Sequence, residues 1–306
     1  MKVAKAILPQ LSLLLVGVIW GSSNVIIKNA VDQIPAAFLI ALRCTMASAL
    51  LALVFGKKLK MIDKSTLLGG AVIGLCLFLA YYMQTCSLYF SDPGKCGFLA
   101  SVYCVIVPFL FWILTGKRPE AKSFAASVLC LAGVLICSVN GALKIAWGDS
   151  MALISGVLYA AHIVTIERFS RDKDPVVMTI LQFAFAGLYG WIVALTTERA
   201  RLCLPTEAAL ELMYLALVCT GLAMLLQNVG QKRVAPHVAS ILMSTEAVFG
   251  VAISAALGME RVTARLALGF VLIFAAILIS EFRASPRRVA KTMELIEQQS
   301  AAATEK

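Results

Sequence analysis

A 306-residue chain that is 60% hydrophobic and 14% charged, with a mean hydropathy of +0.89, is too poor in charge for a soluble domain, where about a quarter of residues are charged. It is an integral membrane protein. The net charge of +10 would suit a nucleic-acid partner, but the cations lie in short segments between apolar runs, a pattern that sets membrane orientation and excludes that partner.

About 20 apolar residues cross ~30 Å of hydrocarbon, and ten candidate spans follow one another along the chain. The first, residues 6–27, is preceded by Lys2 and Lys5 as a secretory signal would be, but it is too long and other spans follow, so it is a retained helix. The second, near 36–55, is interrupted by Arg43; the third, fourth and fifth cover 65–91, 96–116 and 123–143. The sixth (149–166) and tenth (265–282) are short and bounded by charges, the seventh and eighth cover 175–197 and 212–231, and the ninth, 236–258, is interrupted by Glu246. Pro9, Pro35, Pro93, Pro175 and Pro236 fall at predicted helix starts, where a missing N–H costs nothing. Pro108 lies inside the fourth span and predicts a kink there, which its repeat partner Val251 would lack. Cysteines in the spans have no ligand spacing or histidine partners and read as small packing residues.

Shifted by 143 positions without a gap, residues 84–138 lie on 227–281, with identities that include Gln84 on Gln227, Pro93 on Pro236, Ser101 on Ser244 and Arg118 on Arg261. The chain is a duplicated unit: residues 1–143 form a first five-helix repeat, 144–283 a second, and 284–306 a polar cytoplasmic tail. Five spans are an odd number, so the second copy enters the bilayer upside down relative to the first. With the N-terminus cytoplasmic, nineteen cations fall on inner segments and seven on outer ones, which places both termini inside.

The run Trp20 to Asn24 in the first span, Arg43 in the second, Pro236 through Phe249 with Glu246, and Leu257 through Thr263 resemble the EamA-type branch of the drug/metabolite transporter superfamily. The first half departs from the pattern, with Lys117 at the place of Glu260 and Tyr103 at that of Glu246. The resemblance implies a multi-pass carrier of small metabolites in a plasma (inner) membrane, often for amino acids or related amphipathic compounds and often exporting. It also implies a central cavity formed by the first, third, fourth, sixth, eighth and ninth helices.

Gly17, Gly21, Asn24 and Lys28 are spaced on one helical face, and a shift of 138 maps them onto Ser155, Tyr159, His162 and Ile166. The glycines read as close helix packing, Asn24 and His162 as cavity groups, because a polar side chain in lipid needs a partner or water. Glu246 is either a protonatable coupling site or amine counter-ion, or a neutral acid hydrogen-bonded between helices. Arg43 reads as a peripheral structural tie, with Gln182 as its neutral counterpart in the seventh span. Gln84 and Gln227, with Asn228 beside the second, put an amide at matched depth in both halves. Trp20, Tyr81, Tyr82, Tyr103 and Tyr159 either line the cavity or anchor and pack helices. Gly250, Ser254 and Gly258 make a seam for a neighbouring helix or for a second protomer in a homodimer.

The expected mechanism is alternating access about a midplane cavity, driven by a proton or ion gradient, since the chain has no nucleotide-binding loop. The rivals are a flippase for lipid or polyprenyl headgroups and a facilitative channel. His162 and His237 without clustered carboxylates argue against metal-dependent hydrolysis, so no metal, cofactor or enzymatic activity is expected.

Overall fold

Hydrocarbon offers a bare backbone no water, so apolar runs of this length satisfy their own N–H and C=O groups as helices. The computed structural model describes residues 2–116, 118–119, 121–138, 146–198, 206–259 and 263–281, and all regular structure among them is helical. The first half contains α1 (Lys2–Val31), α2 (Ala36–Phe55), a 3-10 segment (Gly56–Met61), α3 (Lys64–Ser87), α4 (Pro93–Ala100), α5 (Tyr103–Thr115) and α6 (Ala121–Ser138). The second contains α7 (Trp147–Ser170), α8 (Pro175–Val193) running into a π turn (Ala194–Glu198), and α9 (Thr206–Tyr214). A π segment (Leu215–Leu222) then leads to α10 (Ala223–Gln231), α11 (Pro236–Met243), α12 (Thr245–Ala256) and α13 (Ala264–Glu281).

Among the described residues, eight helical spans are long and apolar enough to cross a membrane, and all eight match predicted ones. The predicted fifth and tenth spans correspond to α6 and α13, whose apolar stretches, Ala121–Gly133 and Ala267–Ala276, are shorter. The repeat boundary near 143, the tail at 284–306, Glu260 and the cations Lys144, Arg199, Arg201 and Arg261 lie outside the described residues.

Prolines begin α4, α8 and α11 as expected. Pro9 does not begin α1, which already starts at Lys2. Asp63 caps α3 through the Thr66 N–H at 2.6 Å, and Asp174 caps α8 through the N–H groups of Val176 and Val177. The start of α2 is capped from a distance: the Glu198 carboxylate accepts from the N–H groups of Ala37 and Phe38 at 2.8 and 3.1 Å. α5 and α12 both end on a left-handed glycine, Gly116 at φ 69° and Gly258 at φ 73°.

α5 continues through Pro108, the site of the expected kink. A proline at 108 leaves the Cys104 carbonyl without its helical donor, and the Ser127 hydroxyl from α6 donates to that carbonyl at 3.1 Å. The span is broken at Ser101, between α4 and α5, and its counterpart at Ser244, between α11 and α12. Both serine hydroxyls donate back to a carbonyl of the preceding turn, Ser101 to Gly97 at 2.9 Å and Ser244 to Ile241 at 2.7 Å, a bond that bends helices.

Packing crosses between the halves. α1 lies along α12 and α10, α7 along α3, α4 and α5, α2 along α8, and α6 along α13. Gly250 of the predicted seam faces Gly21 of α1, so at that position the neighbour is a helix of the same chain.

Candidate functional site

The site begins where α1 and α12 touch. A Cβ on Gly17 would meet the Thr245 hydroxyl at 2.1 Å, and one on Gly21 would meet the Gly250 nitrogen at 2.8 Å, so only glycine allows this approach. It turns Trp20, Ser23 and Ile27 of α1 and Glu246 of α12 onto one small cavity of about 10 Å³, room for about one water. Arg43 from α2, Tyr81 and Gln84 from α3, and Tyr159 from α7 complete the lining.

A chain of polar groups crosses three helices beside it. The Tyr159 hydroxyl donates to Gln84 Oε1, and Gln84 Nε2 donates to Asn24 Oδ1 at 3.1 Å. Asn24 fits because Gly97 of α4 leaves it space: a Cβ there would lie 2.9 Å from Asn24 Nδ2. Tyr103 stands behind Tyr159, ring edge to face at 6.1 Å, and its hydroxyl faces the Glu246 carboxyl without the geometry of a full hydrogen bond.

Arg43 does not sit at the periphery. It is 2% exposed, its Nε donates to Thr220 Oγ1 at 2.9 Å, and its guanidinium lies 4.1 Å over the Tyr81 ring. Its Nη1 has no hydrogen-bond partner among the described residues. The π segment supplies two of the ties, Thr220 to Arg43 and the Cys219 carbonyl to Trp20 Nε1 at 3.0 Å; π turns recur at functional sites. Thr220 carries no distinctive signal in the sequence beyond a hydroxyl within an apolar run, while Ser23 lies in the run Trp20 to Asn24 without being singled out within it. A cation and a carboxyl thus border one enclosed space, an expensive arrangement in a bilayer unless it is used.

Other expected site residues lie elsewhere. His162 is fully buried but pairs its Nε2 with Gln182 Oε1 at 3.2 Å, tying α7 to α8 away from the cavity. Tyr82 is half-buried and stacks on Phe78 at 5.7 Å. Gln227 donates to Gln231 in its own helix at 2.8 Å, and Asn228 donates to Thr179 at 2.7 Å. The matched amides therefore separate: Gln84 joins the cavity network, while Asn228 and Gln231 line a different hollow of about 190 Å³ beside Arg171, Lys232 and Arg233. Period and register place these side chains on a helix face, but which helix covers that face is a tertiary fact.

Charged pairs close both ends of the bundle. At the end holding the starts of α4 and α7, Lys95 pairs with Asp149 at 2.6 Å, Ser91 donates to Asp149, and Lys28 donates to the Leu88 carbonyl. At the opposite, lysine-rich end, Lys173 pairs with Asp63 at 2.8 Å and Lys58 with Asp174 at 2.7 Å. The Lys173 ammonium and the Thr66 hydroxyl and N–H hold the Asp63 carboxyl well below its ordinary range. Burial raises Asp174, but donation from Lys58, Val177 and Val176 outweighs it and the net shift is downward.

Comparison with known proteins gives a consistent result. The model of the EamA-like transporter family matches residues 8–139 and again 146–282. An "Uncharacterized transporter" of Archaeoglobus fulgidus is 29% identical over 281 residues, covering 91% of this chain and 87% of its own. A "Probable amino-acid metabolite efflux pump" of Escherichia coli (strain K12) is 29% identical over 297 residues, 91% of this chain and 96% of its own. A solved crystal structure aligns with a TM-score of 0.71 over 89% of this chain and 97% of that one, at 18% identity, a likeness of fold.

Proposed function

The chain belongs to the EamA-like transporter family of the drug/metabolite transporters, and on that premise we propose that it is a secondary-active exporter of small zwitterionic metabolites, amino acids or their relatives. The observation that carries the proposal is the pairing of Arg43 and Glu246 on one enclosed cavity. The guanidinium, with Nη1 unsatisfied, suits a carboxylate, and Glu246 suits an ammonium. Trp20, Tyr81 and Tyr159 provide flat faces for the rest of the molecule. At about 10 Å³ the space is smaller than any such ligand, so this is an occluded form and a carrier must open it to load.

Opening follows from two five-helix halves of opposite orientation, ten spans in all, rocking about the shared cavity. Supporting this are the matched breaks at Ser101 and Ser244, the matched glycine ends at Gly116 and Gly258, and the exchange of packing partners between halves. Glu246 is the coupling group, binding a proton and the substrate ammonium in turn. The lysine-rich end faces the cytoplasm. Name-level likeness to an amino-acid metabolite efflux pump supports the substrate class and the direction.

The test is uptake of radiolabelled L-amino acids by proteoliposomes under an imposed pH gradient. Wild type accumulates label along with the gradient, and Glu246→Gln transports without responding to it. Equal gradient dependence in both would remove Glu246 from coupling, and loss of saturation in wild type would favour a channel.

A further inference from the structure

An opening larger than the central cavity lies between α1 and α10. Leu8 and Leu11 on one face of α1 and Leu226 and Val229 on α10 wall an apolar groove of about 580 Å³, which ends at Lys232 and Arg233. Leu8, Leu11 and Val229 are 64%, 53% and 44% exposed, so the groove is open from the side along its length. Its two ends differ in chemistry: the walls are hydrocarbon, and the rim on the lysine-rich side carries two positive charges. Lys232 donates to the Lys173 carbonyl at 2.9 Å, while the Arg233 guanidinium makes no ion pair or hydrogen bond among the described residues.

The duplicated half shows that this combination is not an automatic product of the fold. At the positions 143 residues earlier stand Tyr89 and Phe90, whose rings meet at 6.4 Å. There α7 comes so close that a Cβ on Gly148 would lie 2.8 Å from Phe90 Cβ and 2.7 Å from Ser91 Oγ. One half therefore brings its facing helix in tight beside two aromatics, and the other leaves a groove beside two cations.

We propose that this groove is a binding site for one anionic phospholipid, an acyl chain lying along α1 and α10 and the headgroup phosphate seated on Arg233 and Lys232. A neutral lipid fills the apolar part equally well but leaves the cations without a counter-ion at the membrane surface. Lys232 and Arg233 also line the 190 Å³ hollow that holds Asn228, so a bound phosphate would form part of that hollow's wall. The proposal is independent of the transport reading.

The experiment is lipid retention. The purified full chain is equilibrated in detergent with equal amounts of phosphatidylglycerol and phosphatidylcholine, and the lipid that stays bound is measured by mass spectrometry. Wild type retains phosphatidylglycerol preferentially. Arg233→Gln lowers that preference roughly fivefold, the size expected for one surface cation, and Leu11→Trp lowers retention by filling the groove. Lys57→Gln with Lys60→Gln, which removes two cations of the 3-10 segment, leaves it unchanged. Melting curves in phosphatidylcholine confirm that each variant folds, and Val229→Trp replaces any that does not. Equal retention of the two lipids by wild type, an equal loss in the Lys57/Lys60 variant, or displacement by soluble glycerol phosphate at the lipid's own concentration would overturn the proposal.

Discussion

Arg43 both ties helices together and borders the central cavity. A guanidinium in the middle of an apolar run must find protein or water, and from the sequence the cheapest solution is a tie at the bundle's edge. The structure stacks it on Tyr81 and bonds it to Thr220, ties to other elements, and puts it in the cavity lining with Nη1 unpartnered among the described residues. Arg43 has only neutral partners at hydrogen-bond or stacking distance, so an apolar side chain of similar length removes the cost of burying a charge with no ion-pair partner. Arg43→Met is therefore expected to melt no lower than wild type yet lose about 100-fold in transport kcat/KM, the cost of ~3 kcal/mol of charge-assisted hydrogen bonding. A fall in melting temperature with transport retained would return Arg43 to a structural role. Trp20, Gln84, Tyr159 and Glu246, which line one cavity, and Asn24, which bonds Gln84, were legible as candidates because each is a polar or aromatic group on a small-residue face or inside an apolar span. His162 and Gln227 were equally legible as polar groups, but their destinations depend on which helix covers them, and a single chain carries no signal for that.

Hydroxyls as well as prolines mark the helices here. Pro108 lies inside α5, and Ser127 of α6 supplies the donor that the Cys104 carbonyl lacks. Ser127→Ala is expected to cost about 1–3 kcal/mol, the penalty for a buried unsatisfied carbonyl. Pro108→Ala restores the helical N–H, so the same Ser127→Ala change made in that background should cost little, a non-additivity read by a double-mutant cycle of unfolding. Additive costs would mean that the Ser127 contact is incidental. Apolar run lengths and proline starts made most helix limits legible, whereas the break at Ser101 and Ser244 was hidden in an identity that looked like any other between the repeats. The π segment that carries Thr220 and Cys219 has no sequence mark either. At the lysine-rich end, Asp63 and Asp174 cap α3 and α8 and pair with lysines of other elements. Both carboxyls are held below their ordinary value of 3.8, so their contribution is complete above about pH 4 and is lost as pH falls through the lower folded values. Melting temperature followed downward from pH 7 should be level and then fall below pH ~4, and the fall should be smaller in Asp63→Asn and Asp174→Asn. An unchanged profile in those variants would assign the acid transition to other groups.

At the scale of the whole molecule, the two halves contribute unequally to one centre. α1, α2 and α3 of the first half bring Trp20, Arg43 and Gln84, and α7 and α12 of the second bring Tyr159 and Glu246. A cavity walled by both halves is opened when they move relative to one another, which is the motion the proposed cycle requires. Charged contacts such as Lys95 with Asp149, which join α4 to α7 across the halves, would have to part when that end opens. Counterflow decides most directly whether the closed cavity is a carrier site. Proteoliposomes loaded with an unlabelled L-amino-acid mixture and diluted into a trace of the same labelled mixture should take up label transiently above equilibrium, with a saturable rate. Arg43→Met should abolish the overshoot. Label that only equilibrates, at a rate proportional to concentration and indifferent to the internal load, would contradict a carrier.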